Sequence, residues 1–264
     1  MGSDDQIPQV SSDDERRSAA ALARLAALHP KLIDLGLERT FHLLATLGNP
    51  HHKLPPTVHV AGTNGKGSVI ALMRAMAEAA GLRVHVYSSP HLCHFNERIR
   101  LAGTLISDGG LADLLEEVEQ ANGDTAVTFF EVTTAAAMLA FAREPADLLL
   151  LETGLGGALD STNVLDSPLA TVITPIARDH EHFLGNEISE IAQQKAGIMR
   201  SGSPCFVSRQ EASAASAISA YASKIGTSLI MAGVDFDWQD LPDGSICLIH
   251  DGQNTPLPQP SLYG

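Results

Sequence analysis

The sequence predicts an α/β fold in which helices cover a doubly wound, mostly parallel β-sheet. Three observations support this prediction. Short β-branched or apolar runs alternate with helix-like stretches along most of the chain, as in parallel sheets. Residues 147–152 include four consecutive leucines, which is typical of a strand buried on both faces. A turn that contains three glycines joins the first predicted strand to the next helix.

The elements follow in order from a helix that Ser12 or Asp13 can cap and that His29-Pro30 ends. We expect a disordered N-terminal lead-in, which covers residues 1–11 by composition and extends to residue 17 in the division into domains, so that the domain begins at residue 18. The apolar pattern then predicts helices over 37–47, 68–80, 107–120, 129–141, 187–199 and 212–225. It predicts strands over 57–60, 83–87, 147–152, 170–174, 204–207 and 228–231, with an extended segment over 97–105. Near the C-terminus, two short runs flank residues 242–244 and predict a small β-hairpin, followed by a loop from residue 256.

The composition is that of an ordinary globular domain rather than a disordered chain. Hydrophobic residues make up 44% of the 264 residues, and charged residues 18%. The net charge of -14 disfavours nucleic acid or an anionic membrane as a partner, so an anionic substrate would need local cations or metal. No apolar run is long enough to span a membrane, and the acidic N-terminus is unlike a signal peptide. The three cysteines lie far apart without metal-ligand spacing, which favours reduced thiols and a cytoplasmic location.

The glycine-rich turn has the features of a phosphate-binding loop. A β-branched strand precedes it and a helix follows, so that backbone N–H groups and a helix N-terminus point at a bound anion. Lys66 adds a flexible cation suited to the outer phosphates of a nucleotide. The general pattern is matched imperfectly, because Val60 replaces its first glycine and Gly67 its hydroxyl residue. The alternative is an ordinary turn with a surface lysine, but the surrounding glycines favour a nucleotide site at Gly62, Thr63, Asn64, Gly65, Lys66, Gly67 and Ser68.

Polar side chains also follow the next three predicted strands. Ser89 follows the second strand, Glu152 ends the third, and Asp179-His180 follows the fourth. Since ligands of open α/β sheets bind at the carboxyl ends of strands, we expect these groups to converge. Glu152 ends a run of leucines and needs a partner, and a hard cation that also binds nucleotide oxygens would supply one. The alternatives are a turn cap for Ser89, a structural ion pair for Glu152 and a hydrogen-bonded structural role for His180.

Two other polar groups are less informative by position. Lys195 lies in a predicted helix, where a lysine is by default solvated. The segment Asp160-Ser161-Thr162-Asn163 is equally consistent with a turn and with a functional cluster. Position at the sheet edge adds no support for a function of Lys195.

Six motifs, in order and spacing, resemble those of the Mur ligase superfamily, at residues 61–68, 87–92, 152–157, 159–163, 179–180 and 195–198. Residues 28–39 resemble a signature of the folylpolyglutamate synthase/dihydrofolate synthase branch, which other Mur ligases lack. The resemblance extends from about residue 18 to the end of the chain. It implies that residues 18–264 are the central ATP-binding domain of a Mur ligase, incomplete at its C-terminus. The separate glutamate-binding domain of that branch is expected to be absent.

The resemblance also implies roles for individual residues. The loop 62–68 would hold the phosphates of ATP, with Lys66 on the outer ones. Ser89, Glu152 and His180 match magnesium ligands of the family. Lys195 matches a lysine that the family carbamylates, and a carbamate oxygen can reach a second magnesium ion. The pterin or pteroate pocket would be lined by Ala27, Leu28, His29, Pro30 and Thr128.

The activity that this resemblance implies is ATP-dependent ligation of L-glutamate to dihydropteroate or to the γ-carboxylate of a folate. ATP would convert the acceptor carboxylate into an acyl phosphate, which the amine of glutamate then attacks. ATP and Mg²⁺ are the expected cofactors, small molecules are the expected partners, and a monomer is expected. Two alternatives stay open. The first alternative is that the chain belongs to another Mur-type amide ligase, and the second is that this polypeptide only binds nucleotide.

Overall fold

The computed structural model describes residues 12–28 and 34–258. In this part of the chain, the main sheet consists of β1 (Thr57–Ala61), β2 (Val84–Tyr87), β3 (Ile99–Leu101), β4 (Thr104–Leu105), β5 (Leu148–Glu152), β6 (Ala170–Ile173), β7 (Cys205–Val207) and β8 (Leu229–Met231). A smaller sheet consists of β9 (Phe236–Asp240), β10 (Ile246–His250) and β11 (Gln253–Leu257).

The helices lie between these strands in the chain. They are α1 (Asp13–Leu28), α2 (Glu38–Thr46), α3 (Lys66–Ala79), α4 (Asp108–Asn122), α5 (Phe129–Arg143), α6 (Glu181–Leu184), α7 (Ile188–Ala196) and α8 (Ala212–Ile225). Two short 3₁₀ turns cover Pro50–Lys53 and Phe95–Arg98. Within the described ranges, none of these helices combines the length and the apolar character that a membrane crossing requires.

The main sheet has the order β4-β3-β2-β5-β1-β6-β7-β8. The six strands from β2 to β8 in this order are parallel, and β3 and β4 add an antiparallel edge beyond β2. From β1 the chain winds to β2 on one side and later to β6, β7 and β8 on the other. The predicted doubly wound α/β fold is therefore confirmed, and its switch point, where ligands bind in such sheets, lies beside β1.

Strand β5 is buried on both faces, as its leucine run predicts. Leu149 and Leu151 pack in one core cluster with residues of α4 and α5, whereas Leu150 packs in another with Ile70 of α3. Since successive side chains of a strand point to opposite faces, helices cover β5 from both sides. This packing fixes the position of the last residue of the strand, Glu152.

The structure differs from the sequence prediction in three places. Helix α1 begins at Asp13 and so takes in residues 13–17, which the domain boundary after residue 17 leaves outside. The short helix α6 was not predicted. The expected hairpin is present as β9 and β10, but β11 adds a third strand up to Leu257, where a loop was expected from residue 256. Its residues are all exposed, so backbone pairing rather than an apolar pattern holds this strand.

Candidate active site

The carboxyl ends of β1, β2, β5 and β6 meet at one edge of the sheet. Two clefts open there, with volumes of about 410 and 530 Å³. Lys66, Ser89 and Pro90 line both clefts, which therefore adjoin at the phosphate loop. The first cleft also touches Arg98, Thr128, Asp160, Asp179, His180 and Lys195. The second cleft also touches Thr63, Asn64, Gly65, Gly67, Arg100 and Glu152.

Gly62 begins the phosphate loop where only glycine fits. Its φ is +149°, and a Cβ atom at this position would lie 1.8 Å from Oγ1 of Thr174. The next two backbone N–H groups, of Thr63 and Asn64, donate to the carbonyl oxygen of Pro175 at 3.0 and 3.2 Å. These two N–H groups anchor the loop to the segment after β6, so they are not directed at a ligand.

The anion-binding part of the loop is the start of α3. Gly65 adopts the left-handed conformation with φ of +83°, and the helix begins at Lys66. The N–H groups of a first helical turn have no partner within the helix, so those of Lys66, Gly67 and Ser68 are available to a phosphate. This is the strand, glycine turn and helix arrangement that the sequence predicts.

Lys66 and Lys195 share one acceptor. The Nζ atoms of Lys66 and Lys195 donate to the carbonyl oxygen of Gly62 at 3.1 and 2.9 Å. Lys195 is only 3% exposed, which excludes the solvated helix lysine expected by default. Burial, reinforced by the positive charge of Lys66, lowers the pKa of Lys195 to about 8. At this pKa about a tenth of the amine is neutral, and hence nucleophilic, at pH 7.

Glu152 is a buried carboxylate that ends β5. Its side chain is 4% exposed, and its Oε2 accepts from the backbone N–H of Ser89 at 3.2 Å. In the described part of the chain no Lys, Arg or His lies within ion-pair distance of it, so the structural ion pair is not formed. Desolvation raises the pKa of Glu152. Burial removes the water that stabilises a carboxylate charge, and a divalent cation bound here would stabilise the charge instead.

His180 lies apart from Ser89 and Glu152. It is exposed at the N-terminus of α6 with φ of +49°, and its Nε2 is 3.6 Å from Oδ1 of Asp179. His180 and Lys195 line the first cleft, whereas Glu152 lines the second, with Ser89 between them. Over residues 12–28 and 34–258, no three His, Cys, Asp or Glu side chains come together as a metal-binding group. Ser89 and Glu152 thus fit a magnesium site as oxygen donors, while the parts of His180 and Lys195 in it stay predictions.

Asp160 is the centre of a buried hydrogen-bond network at the floor of the first cleft. The carboxylate is 2% exposed and accepts from the backbone N–H groups of Leu155 at 2.7 Å and Thr162 at 3.0 Å. The Thr162 hydroxyl also donates to it, and this hydroxyl lies 2.9 Å from Nε2 of His59. Since the Thr162 hydroxyl donates its only proton to Asp160, it must accept from the Nε2–H of His59. The cluster 160–163 is therefore a structural network that also borders a cleft.

Thr128 reaches the first cleft as the N-cap of α5. Its hydroxyl accepts from the backbone N–H of Glu131 at 3.2 Å. Glu131 is 1% exposed and forms an ion pair with Arg39 at 3.0 Å, which ties α2 to α5. Of the other predicted acceptor residues, Ala27 is exposed at the end of α1. The side chain of Leu28 and all of His29 and Pro30 lie outside the described residues.

Sequence reasoning missed Arg98, Phe130 and Asp34, all of which line the first cleft. Arg98 follows Glu97, whose carboxylate accepts from the backbone N–H groups of Leu92, Cys93 and His94 at 2.7 to 2.8 Å. These hydrogen bonds lower the pKa of Glu97 to about 2 and fold residues 88–98 into a compact loop. The loop brings Arg98 to the first cleft together with Ser89, an arrangement that no local sequence pattern indicates.

The fold and the glycine-rich loop define a nucleotide-binding α/β domain. Comparison with family models then identifies its family: residues 60–243 match the Mur ligase middle domain. The chain belongs to the Mur ligase family. The match covers the phosphate loop, the 88–98 loop, β5 and α7, all of which contribute residues to the two clefts.

The relatives of this chain point to one branch of that family. It is 40% identical over 233 residues to the dihydrofolate synthase/folylpolyglutamate synthase of Escherichia coli, covering 88% of this chain and 53% of that protein. It is 47% identical over 176 residues to the Bacillus subtilis protein of the same description, covering 64% and 40%. The chain therefore spans about half the length of the curated relatives it matches.

Solved structures give the same result. The E. coli FolC protein in complex with DHPP and ADP matches with a TM-score of 0.86 and 36% identity, over 96% of this chain and 60% of that one. A bifunctional folylpolyglutamate synthase/dihydrofolate synthase with Mn, AMPPNP and L-glutamate bound matches with a TM-score of 0.81 and 34% identity, over 90% and 56%. These neighbours bind nucleotide, metal and small-molecule substrates in the same fold.

Proposed function

We propose that this chain is the ATP-binding part of a ligase that adds L-glutamate to dihydropteroate, to the γ-carboxylate of folates, or to both. One observation carries the proposal: the two clefts meet at Lys66 and Ser89. A nucleotide phosphate on the loop of one cleft would therefore lie next to an acceptor in the other. The neighbours that bind DHPP, ADP, AMPPNP and L-glutamate support this assignment.

The chemistry requires a carboxylate oxygen of the acceptor to attack the terminal phosphorus of ATP. The bond from that phosphorus to ADP breaks, and an acyl phosphate forms. The amine of glutamate then attacks the carbonyl carbon, loses a proton, and phosphate departs with the electron pair of the C–O bond. Lys66 and the first turn of α3 would hold the transferred phosphoryl group and neutralise the charge that develops on it.

Magnesium would supply further neutralisation of phosphate charge, and Ser89 and Glu152 are the residues that the geometry offers to hold it. His180 is the third proposed magnesium ligand, on the basis of the family resemblance. Lys195 would contribute as a carbamate, for which its buried and partly neutral amine is suited. Its Nζ donates to the carbonyl oxygen of Gly62, a residue that belongs to the phosphate loop and lines the first cleft.

The acyl phosphate gives a direct test that does not depend on the attack by glutamate. The chain is incubated with Mg-ATP, hydroxylamine and one acceptor at a time. The four acceptors are pteroate, dihydropteroate, a tetrahydrofolate and a UDP-linked muramic acid. Hydroxylamine attacks an acyl phosphate to give a hydroxamate and phosphate. We expect hydroxamate from the pterin-containing acceptors only.

The two alternatives predict other outcomes of the same experiment. Hydroxamate from the muramic acid alone would indicate another Mur-type amide ligase. Nucleotide binding without hydroxamate from any acceptor would indicate that the chain is a nucleotide-binding module, and it would contradict the proposal for this polypeptide.

We also propose that the protein is cytoplasmic and monomeric. Cys93, Cys205 and Cys247 are all free thiols, which suits a reducing compartment. Sedimentation of the purified chain at several concentrations would test the monomer, and a mass that rises with concentration would contradict it.

A further inference from the structure

Arg98 occupies an unusual position at the mouth of the first cleft. It is the last residue of the 3₁₀ turn Phe95–Arg98 and leads directly into β3. Its carbonyl oxygen accepts from the backbone N–H of Ser88 at 3.0 Å, so its backbone is fixed one residue away from Ser89. The side chain lines the first cleft together with Ser89, Pro90 and Thr128.

Two neutral groups hold the guanidinium of Arg98 in place. Its Nε donates to Nδ1 of His91 at 2.9 Å. Its Cζ lies 5.0 Å from the centroid of the Phe95 ring, in a cation–π contact. Phe95 is itself fixed, because it is 7% exposed and packs edge-on against Phe129 at a centroid distance of 6.0 Å. The planar group is therefore oriented before any ligand binds.

The positive charge of Arg98 is not neutralised by the protein. Within the described ranges, no carboxylate lies within ion-pair distance of Arg98, whereas Arg17, Arg39, Arg83, Arg143 and Arg209 each pair with an acidic residue. The contact to His91 uses only the Nε–H group. The two terminal nitrogens, with four N–H donors in one plane, are left for a ligand in the cleft.

The geometry points to Arg98 as the residue that binds the acceptor carboxylate. We propose that its two terminal nitrogens hold this carboxylate, and then the acyl phosphate made from it, beside the phosphate loop. A planar fork of donors matches a carboxylate in bidentate geometry, and in a partly enclosed cleft such a pair is strong. This inference rests on the proposed function and names the residue that selects an acid as acceptor.

The test compares a carboxylate ligand with its uncharged amide. Binding of pteroate and of pteroic acid carboxamide to the whole chain is measured by calorimetry, for the parent chain, Arg98→Ala and Arg98→Lys. We expect the parent to prefer pteroate by about tenfold or more, since a hydrogen-bonded charge pair is worth that much. Arg98→Ala should lose most of this preference, and Arg98→Lys should keep part of it because the charge remains.

A matched control removes the same charge elsewhere. Arg143 lies at the end of α5 and forms an exposed ion pair with Glu117 at 2.7 Å. Arg143→Ala should keep the full preference for pteroate, and Arg98→Ala should bind Mg-ADP as tightly as the parent does. Far-UV circular dichroism of both variants checks that the fold is retained.

The outcomes separate this inference from the proposed function. If the parent binds pteroate and Arg98→Ala keeps the same preference over the amide, Arg98 does not bind the carboxylate and the inference is wrong. If Arg98→Ala instead loses affinity for Mg-ADP, the residue serves the nucleotide, which also overturns the inference. If the parent binds neither pteroate nor the amide, the proposed function fails first and the inference falls with it.

Discussion

Replacing His59 with glutamine should make the stability of this fold less sensitive to acid. His59 lies in the middle of β1 and is completely buried, and burial lowers its pKa to about 3. In the unfolded chain its pKa is about 6.5. Below pH 6.5 the unfolded state therefore binds a proton that the folded state does not, so the free energy of unfolding falls as the pH falls towards 3.

The size of the effect follows from these two pKa values. Between pH 7 and pH 5, the unfolded state gains about 2 kcal/mol relative to the folded state from this one group. Glutamine does not titrate, and its amide can still donate a hydrogen bond to Thr162. His59→Gln should therefore lose about 2 kcal/mol less stability than the parent over this pH range, whatever its stability at pH 7.

Urea unfolding, followed by circular dichroism at pH 7, 6 and 5, measures both chains. His42→Gln is the matched control, because it removes an exposed histidine of α2 and should follow the parent curve. His85 is also buried, and burial lowers its pKa, so some acid sensitivity remains in every variant. Equal losses of stability in His59→Gln and the parent would show that His59 is protonated without cost, and the reasoning would be refuted.

Four further predictions concern the site and the packing around it. Lys66→Ala should reduce Mg-ATP affinity and acyl phosphate formation by at least about a hundredfold, measured by calorimetry and hydroxamate assay, because it removes the phosphate cation. Glu152→Gln should raise the magnesium concentration required for hydroxamate formation severalfold at unchanged thermal stability, because the amide keeps the shape but loses the charge. Lys195→Ala should remove a carbamate resonance in ¹³C NMR with labelled bicarbonate, and added acetate should partly restore hydroxamate formation. Glu131→Gln should lower the free energy of urea unfolding by about 1–3 kcal/mol, because Arg39 loses its buried partner.

The control for the two lysine variants comes from the same chain. Lys224→Ala removes an exposed lysine at the end of α8 and should change neither nucleotide binding nor the NMR spectrum. Unchanged magnesium dependence in Glu152→Gln would indicate that Glu152 has no metal to hold. A carbamate signal that persists in Lys195→Ala would place the carbamate elsewhere, and an unchanged stability of Glu131→Gln would show that the ion pair with Arg39 adds nothing.

The parts of the site that were predictable are those determined by local chemistry. Gly62, Gly65 and Lys66 lie within one turn, and the strand and helix around them follow from the apolar pattern. The leucine run of β5 likewise predicted where Glu152 would lie, because a buried strand has to end at the sheet edge. In these cases the sequence neighbours of a residue are also its spatial neighbours.

Lys195 and Arg98 show what local reasoning does not reach. Lys195 is buried because α7 packs against the loop after β5, where a Cβ atom on Gly157 would lie 2.6 Å from the carbonyl oxygen of Gln194. That close approach joins residues far apart in the chain, and it turns a lysine with ordinary helical neighbours into a desolvated amine. Arg98 depends in the same way on the fold of the 88–98 loop around Glu97.

The carbonyl of Gly62 is the point where these separate constraints meet. Thr174 forces the residue to be glycine, and the resulting backbone turns its oxygen towards both Lys66 and Lys195. Burial, together with the repulsion between the two ammonium groups on this oxygen, lowers the pKa of Lys195. A phosphate that binds Lys66 would offset that repulsion and favour the protonated form of Lys195. The neutral amine that a carbamate needs is therefore most available before the nucleotide binds.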